Sequence, residues 1–159
     1  MGVNTKGFID SKYKLLNIKQ VVEQKLGCSC EINSTHASYY NILNFEYKGE
    51  YRRLSVFEDY NQEDLNKIGT LLDLNHWGYA EEIMASIVEV FGGMFLPNDS
   101  GFVDDDWRFI QSKGNFELSD QQIKEYKLYS KLTDSGLKMD EQQKVINYVL
   151  KNLEFIKSL

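Results

Sequence analysis

One proline, two cysteines and two histidines in 159 residues exclude several kinds of architecture and chemistry. With Pro97 as the only proline, and no low-complexity stretch or internal repeat, nothing reads as a linker. Residues 1–159 are therefore expected to form a single domain. Cys28 and Cys30 stand one residue apart, a poor spacing for a structural disulfide, and there is no third cysteine to pair with either. They are expected as reduced thiols in a cytosol. Cys28-Ser29-Cys30 is not a C-x-x-C redox motif, and it lacks the second ligand pair a zinc site requires.

Long apolar runs are also missing. None approaches the roughly 20 residues of a membrane span. The start, Met1-Gly2-Val3-Asn4-Thr5-Lys6, has no apolar segment of the kind a secretory signal carries. A cytoplasmic location with no membrane partner is the expectation. Phosphate-binding loops of the Walker A or G-x-G-x-x-G type are absent, as are the G-x-S-x-G elbow and the H-E-x-x-H zinc helix. Lys48-Gly49-Glu50-Tyr51-Arg52-Arg53 is the nearest approach to a basic cluster with interleaved aromatics, and it reads better as a hairpin turn. No direct nucleic-acid binding is expected.

What is present describes a globular chain. It is 42% hydrophobic and 26% charged, and its ten tyrosines and nine phenylalanines suit half-buried sheet positions. The expected class is α+β: an antiparallel sheet with a central amphipathic helix and two C-terminal helices. A first helix is predicted from an Asn17 N-cap with Gln20 as its capping partner. Ile18, Val21, Val22 and Leu26 follow at helical spacing, and Gly27 closes it. Strands are predicted over 39–47 and 51–57, joined at Lys48-Gly49-Glu50. Leu43, Phe45 and Tyr47 share one face of the first, Leu54 and Val56 one face of the second. Cys28–Ile32 and Thr70–Leu74 are shorter strand candidates.

Tyr79–Phe91 gives the sharpest signal. Ala80, Ile83, Met84, Ile87, Val88 and Phe91 form an apolar stripe, and Glu81, Glu82, Ser86 and Glu89 lie off it. Glu81 and Glu82 suit the first turn of a helix, and Gly92-Gly93 ends it. Met94–Leu96 and Trp107–Ile110 are expected to pair, with Pro97 to Gly101 as part of the turn between them. Ser119 with Gln122, and Leu118 with Ile123, mark the start of one C-terminal helix. Asp140 with Gln143 marks the last, whose apolar face is Val145, Ile146, Val149, Leu150, Leu153 and Ile156.

Charge is divided unevenly along the chain. Between Leu54 and Trp107 stand twelve acidic residues and one basic residue, Lys67, a local balance of −11. The remainder, 17 Lys and Arg against 12 Asp and Glu, carries +5, giving the overall −6. A concentrated negative field attracts basic surfaces; a solvated acidic face that aids solubility is the plainer reading. The segment becomes a patch only if the fold gathers its carboxylates. Glu81, Glu82, Glu89, Asp99, Asp104, Asp105, Asp106 and Trp107 are the candidate partner-binding residues.

Asp104-Asp105-Asp106, with Asp99 before them, is the local carboxylate cluster. On a strand Asp104 and Asp106 would face the same way and could approach Mg²⁺ or Ca²⁺, but the spacing is not that of an EF-hand, and a solvated turn is the simpler reading. Of the histidines, His36 and His76, only His76 precedes a clear helix. Neither has a nucleophile or acid at recognisable spacing. No catalytic residue, cofactor or metal is assigned.

The stretch Leu74-Asn75-His76-Trp77-Gly78-Tyr79-Ala80-Glu81-Glu82-Ile83-Met84, running on through Phe91-Gly92-Gly93 to Asn98-Asp99 and Asp104-Asp105, resembles small uncharacterised proteins of bacteriophages and prophages. The shared pattern is W-G, E-I-M, F-G-G and N-D over residues 70–110. The resemblance implies a small accessory protein in the host cytoplasm that binds and inhibits a host protein or defence complex with a basic surface. Two other functions stay open: a small metal-dependent hydrolase or nucleotide-binding enzyme using Asp99, Asp104 and Asp106 with His76, and a structural subunit that self-assembles through its last helix.

Overall fold

Alternation of side chains about short polar turns builds the sheet of this molecule. A computed structural model describes residues 3–34, 40–99, 106–113, 119–132 and 134–152, with Asp99 described in its backbone alone. The strands are β1 (Asn4–Ile9), β2 (Glu31–Ser34), β3 (Asn41–Tyr47), β4 (Glu50–Gln62), β5 (Lys67–Asn75), β6 (Gly93–Asp99) and β7 (Arg108–Ile110). They form one sheet in the order β2-β3-β4-β5-β1-β6-β7, and each neighbouring pair is antiparallel. The helices are α1 (Leu15–Leu26), α2 (Ala80–Phe91), α3 (Asp120–Leu132) and α4 (Met139–Lys151). The chain is thus α+β with an antiparallel sheet.

The β3–β4 hairpin follows the predicted turn but is tighter. Lys48 (φ 50°) and Gly49 (φ 81°) form a two-residue turn, and Glu50 already pairs with Tyr47. Positive φ at both positions matches the twist of the flanking strands. β4 runs past the predicted end at Phe57. A bulge between Phe57 and Tyr60, with Asp59 at φ 52°, shifts its register so that pairing with β5 continues to Gln62. β5 is correspondingly longer than Thr70–Leu74.

β1 is the element the sequence conceals. Asn4-Thr5-Lys6-Gly7-Phe8-Ile9 has a weak strand pattern, yet it lies inside the sheet between β5 and β6. Gly7 explains the conflict. A Cβ there would come within 2.8 Å of Met84 Sδ and Val88 Cγ2, so the missing side chain is what lets α2 settle on β1. β5 and β6 both run antiparallel to β1 and hence parallel to each other, with α2 crossing between them.

Apolar residues of α1 and α2, among them Ile18, Val21, Ile83 and Met84, meet Leu43, Phe45, Leu54, Val56, Leu72 and Leu74 from the sheet. The predicted faces of β3 and β4 are therefore the ones that point to the helices. Phe8, Ile42, Leu71 and Leu96 are also buried but lie outside that cluster. Pairing places Phe8 beside Leu71, one residue out of phase with Gly7 and Leu72, so they belong to the opposite face.

Several boundaries differ from expectation. α1 starts at Leu15, with Lys14 at the N-cap; Asn17 is its third residue, and its Oδ1 accepts the Lys14 N–H at 3.0 Å. Gly27 ends α1 in the left-handed region, as predicted. Cys28–Ile32 is not a strand: β2 begins at Glu31, and Cys30 is buried just before it. β6 continues through Pro97 to Asp99, where a turn was predicted. A register shift against β1 lies where proline cannot donate to the ladder. The predicted pairing of 94–96 with 107–110 is present as Gly93↔Ile110 to Phe95↔Arg108.

Ser119 and Gln122 form the predicted capping box. Gln122 N–H donates to Ser119 Oγ at 3.2 Å, and Ser119 N–H to Gln122 Oε1 at 3.0 Å. Leu118, its expected staple partner, lies outside the described residues. α4 begins at Met139 with Lys138 at the N-cap, where Asp140 was expected, and Glu141 accepts the Lys138 N–H at 3.2 Å. Ile146 is buried, but Val145 is exposed, and Leu153 and Ile156 are outside the described residues. Among the described residues no helix is long and apolar enough to cross a membrane.

Candidate functional site

α2 presents its acids to solvent because its apolar stripe is consumed by the sheet. Ala80, Ile83, Met84, Ile87 and Val88 are buried, while Glu81 and Glu82 are exposed in the first turn. The helix contains no Lys or Arg, so its own carboxylates have no partner within it. Cations come from elsewhere. Lys48, in the β3–β4 turn, donates to both Glu82 carboxylate oxygens at 3.1 Å. The Glu82 hydrogen bond holds the Lys48 ammonium above its usual pKa. Lys113 reaches Glu89 at 3.2 Å, and Glu81 stands in solvent.

The start of α2 is anchored by a charged and aromatic clamp. Arg52, only 1% exposed, donates to Asn75 O at 2.6 Å and Trp77 O at 3.0 Å, and its guanidinium lies 4.0 Å from the centre of the Trp77 ring. Burial pushes its pKa down. Glu50 Oε2 accepts the Tyr79 N–H at 3.2 Å, which places a carboxylate at the positive end of the helix. Gly78 (φ 54°) is required here, since a Cβ would run into the Glu50 carboxylate. Lys48 also lies 4.7 Å from the Tyr79 ring centre. Trp77, 49% exposed, and Tyr79, 42% exposed, therefore stand next to Glu81 and Glu82.

The other sequence candidates are placed in part. Asp106 is exposed and lies 3.6 Å from Arg108, a long, solvated pair. Trp107 is half buried, and its Nε1 has no hydrogen-bond partner among the described residues. Asp99 ends β6 opposite Asn4, at the end of the sheet where β5 stops and α2 starts. Its side chain, and all of Asp104, Asp105 and His36, lie outside the described residues.

The twelve carboxylates do not share one face. Glu63 and Asp64 sit in the turn between β4 and β5, at the opposite end of the sheet from the start of α2. Glu58 and Asp59 are at the β4 bulge. Asp73 pairs in register with Lys6, out of phase with Gly7, so it points away from α2.

His76 is a structural residue. Its Nδ1 lies 2.7 Å from Thr5 Oγ1, which is also 2.9 Å from Pro97 O. The carbonyl can only accept, so the arrangement that satisfies both bonds gives the hydroxyl proton to Pro97 O and has Nδ1–H donating to Thr5. Cys28 and Cys30 are free thiols, both pushed up in pKa by burial and so poorly suited to nucleophilic work. Among the described residues no three His, Cys, Asp or Glu side chains converge to hold a metal.

A second polar centre went unread in the sequence. Lys19 of α1, 2% exposed, meets Glu125 of α3 at 2.6 Å and Glu23 at 3.0 Å. Burial opposes its charge, but the two carboxylates keep its pKa above the ordinary value. Gln122 Nε2 donates to Gln20 O at 2.9 Å, and Tyr129 donates to Gln143 at 2.5 Å. The available signal was the i, i+4 pair of Lys19 and Glu23 on α1. Comparison with known proteins finds no family model, no curated protein and no solved structure that matches the chain.

Proposed function

We propose that the chain is a non-enzymatic binding protein that docks on a basic surface of a partner protein through the outward side of α2. The observation that carries this reading is the composition of that surface. Glu81, Glu82 and Glu89 stand on a helix without a single cation, beside the exposed rings of Trp77 and Tyr79. Aromatic anchors with charge around them are what protein interfaces concentrate their energy in. Lys48 and Lys113 hold Glu82 and Glu89 in place by surface pairs worth little in themselves, so a partner's cations can compete for the same carboxylates. On this reading α2 is the amphipathic helix central to the architecture: its apolar stripe holds the sheet and its other side recognises.

The resemblance over residues 70–110 takes the proposal one step further, to a phage-type accessory protein that inhibits a host protein or defence complex in the host cytoplasm. The test is affinity capture from bacterial lysate at low and physiological salt. A specific basic partner, recovered by the native chain and lost on Glu81→Lys with Glu89→Gln, supports the proposal. Equal recovery by both chains, or no specific partner at either salt, contradicts it. Charge reversal at Asp104, Asp105 and Asp106 reports whether those residues join the interface.

Self-association through α4 is a second reading, favoured by the exposure of Val145 and Tyr148 on that helix. Light scattering coupled to size exclusion distinguishes it: a monomer unchanged by Tyr148→Ser rules it out.

A further inference from the structure

β1 ends where α1 begins, and β4 bulges at the same end of the molecule. There the start of α1, the β4 bulge, α3 and the start of α4 enclose a cleft of about 400 Å³, within the usual range of about 300–1,000 Å³ for ligand pockets. Leu15, Leu16 and Met139 line it beside the Tyr126 and Tyr129 rings, Glu58 supplies a carboxylate, and Lys14 stands at its edge. Tyr126 is half exposed and Tyr129 buried.

Glu58 is unusual among the acids of the chain. Burial pushes its pKa above the ordinary 4.5, although the Leu15 N–H at the start of α1 and Lys14 nearby both favour its charge. Lys14 is committed elsewhere: its ammonium pairs with Asp59 at 3.1 Å. Glu58 has no ion pair among the described residues. A carboxylate drawn partly out of water, with spare acceptor capacity and no cation in ion-pair contact, is stabilised by a charged donor that enters the cleft.

The surroundings narrow the donor. Glu63 and Asp64 are exposed at the same end of the sheet, so a basic segment approaching it meets a field of the right sign. Apolar walls and a half-exposed ring favour a weakly hydrated planar cation over a compact ammonium, because a guanidinium can stack on a ring while its edge pairs with a carboxylate. We infer that this cleft receives an arginine side chain of the basic partner protein, with the guanidinium meeting Glu58 and lying against Tyr126. The inference rests on the proposed function for the partner's basic character, but the cleft is separate from α2.

The probe is N-acetyl-arginine methylamide, titrated into the intact chain and followed by the NMR signals of the Met139 methyl and the Tyr126 ring. N-acetyl-norleucine methylamide is the neutral control. The expected result is saturable shifts at both residues with the arginine probe only, weakened about tenfold or more in Glu58→Gln, because the charge-assisted hydrogen bond is lost. Glutamine keeps the size of the side chain and an acceptor oxygen, so the variant is expected to fold. Should it not, Tyr126→Leu keeps the apolar lining, removes the ring, and is expected to weaken the same titration. Equal shifts with the neutral probe, no shifts at all, or unchanged affinity in a folded variant overturns the inference. Because no partner protein is used, such a failure leaves the α2 proposal to its own capture experiment.

Discussion

Helices α1 and α2 are each 12 residues long, pack side by side on one face of the sheet, and use charge in opposite ways. α3 covers α1, so Lys19 is buried and its charge is met from within the chain by Glu125; Gln20 Nε2 donates to Gln122 O, while its Oε1 has no partner among the described residues. Nothing among the described residues covers the outward side of α2, and its acids face solvent with lysines borrowed from a turn and a strand end. A charge of the first kind specifies how the chain's own helices dock. One of the second kind contributes little to folding and is available to a partner.

The largest effect should follow from breaking the first kind. Lys19→Ala strands the buried Glu125 carboxylate and takes the cation from Glu23, and is expected to cost about 3–5 kcal/mol in urea unfolding. Replacing both, Lys19→Met with Glu125→Leu, should restore most of that or exceed the native stability, because an apolar pair of similar volume avoids the desolvation of two ions. A double variant as weak as the single one would show that the pair does more than settle its own charge.

Next comes the contact that seats α2. Gly7→Ala drives a Cβ against Met84 and Val88 and is expected to cost about 1–3 kcal/mol. Met84→Ala opens a cavity in the same place at about 2–5 kcal/mol. If combining the two recovers stability, the close approach of α2 to β1 is the cause of both losses.

These sites show what the chain's pattern can and cannot disclose. The α2 stripe, the β3–β4 hairpin, the Gly27 stop and the Ser119 capping box were legible because each is decided within a few residues. β1 was not, because Gly7 answers to a helix some eighty positions later. The start of α1 was misread because Asn17 caps from inside the helix. The acids on α2 were legible as a face, since periodicity settles which way they point. The wider segment of −11 was misleading as a patch, because β4, β5 and α2 carry its carboxylates to different ends and faces. Glu58 had no sequence signal at all: its character comes from burial beside a helix start that belongs to another part of the chain.

A pH series tests that last point with a smaller expected effect. The folded chain holds the Glu58 proton more tightly than the unfolded chain does, so this group binds more protons when folded, and its contribution to stability falls as pH rises from the ordinary 4.5 through the raised value. Glu58→Gln removes the titration. Relative to the native chain, the variant should therefore gain stability from pH 4.5 up to the raised value, level off above it, and show no gain well below 4.5. The nearby charges that remain, Lys14 and Asp59, are the same in both chains. A difference independent of pH would place Glu58 in water.

The smallest effect on folding is expected on α2. Glu81→Lys should cost about 1 kcal/mol or less, the loss of a favourable charge in the first turn of α2. The central claim, that these acids serve recognition rather than folding or solubility, is tested most directly by measuring the affinity of the captured partner for the native chain and for a Glu81→Lys, Glu82→Gln, Glu89→Gln variant of equal thermal stability. The account predicts at least a tenfold loss, with the native complex weakening as salt is raised and the variant much less sensitive to it. Equal affinity and equal salt dependence for the two chains would contradict it.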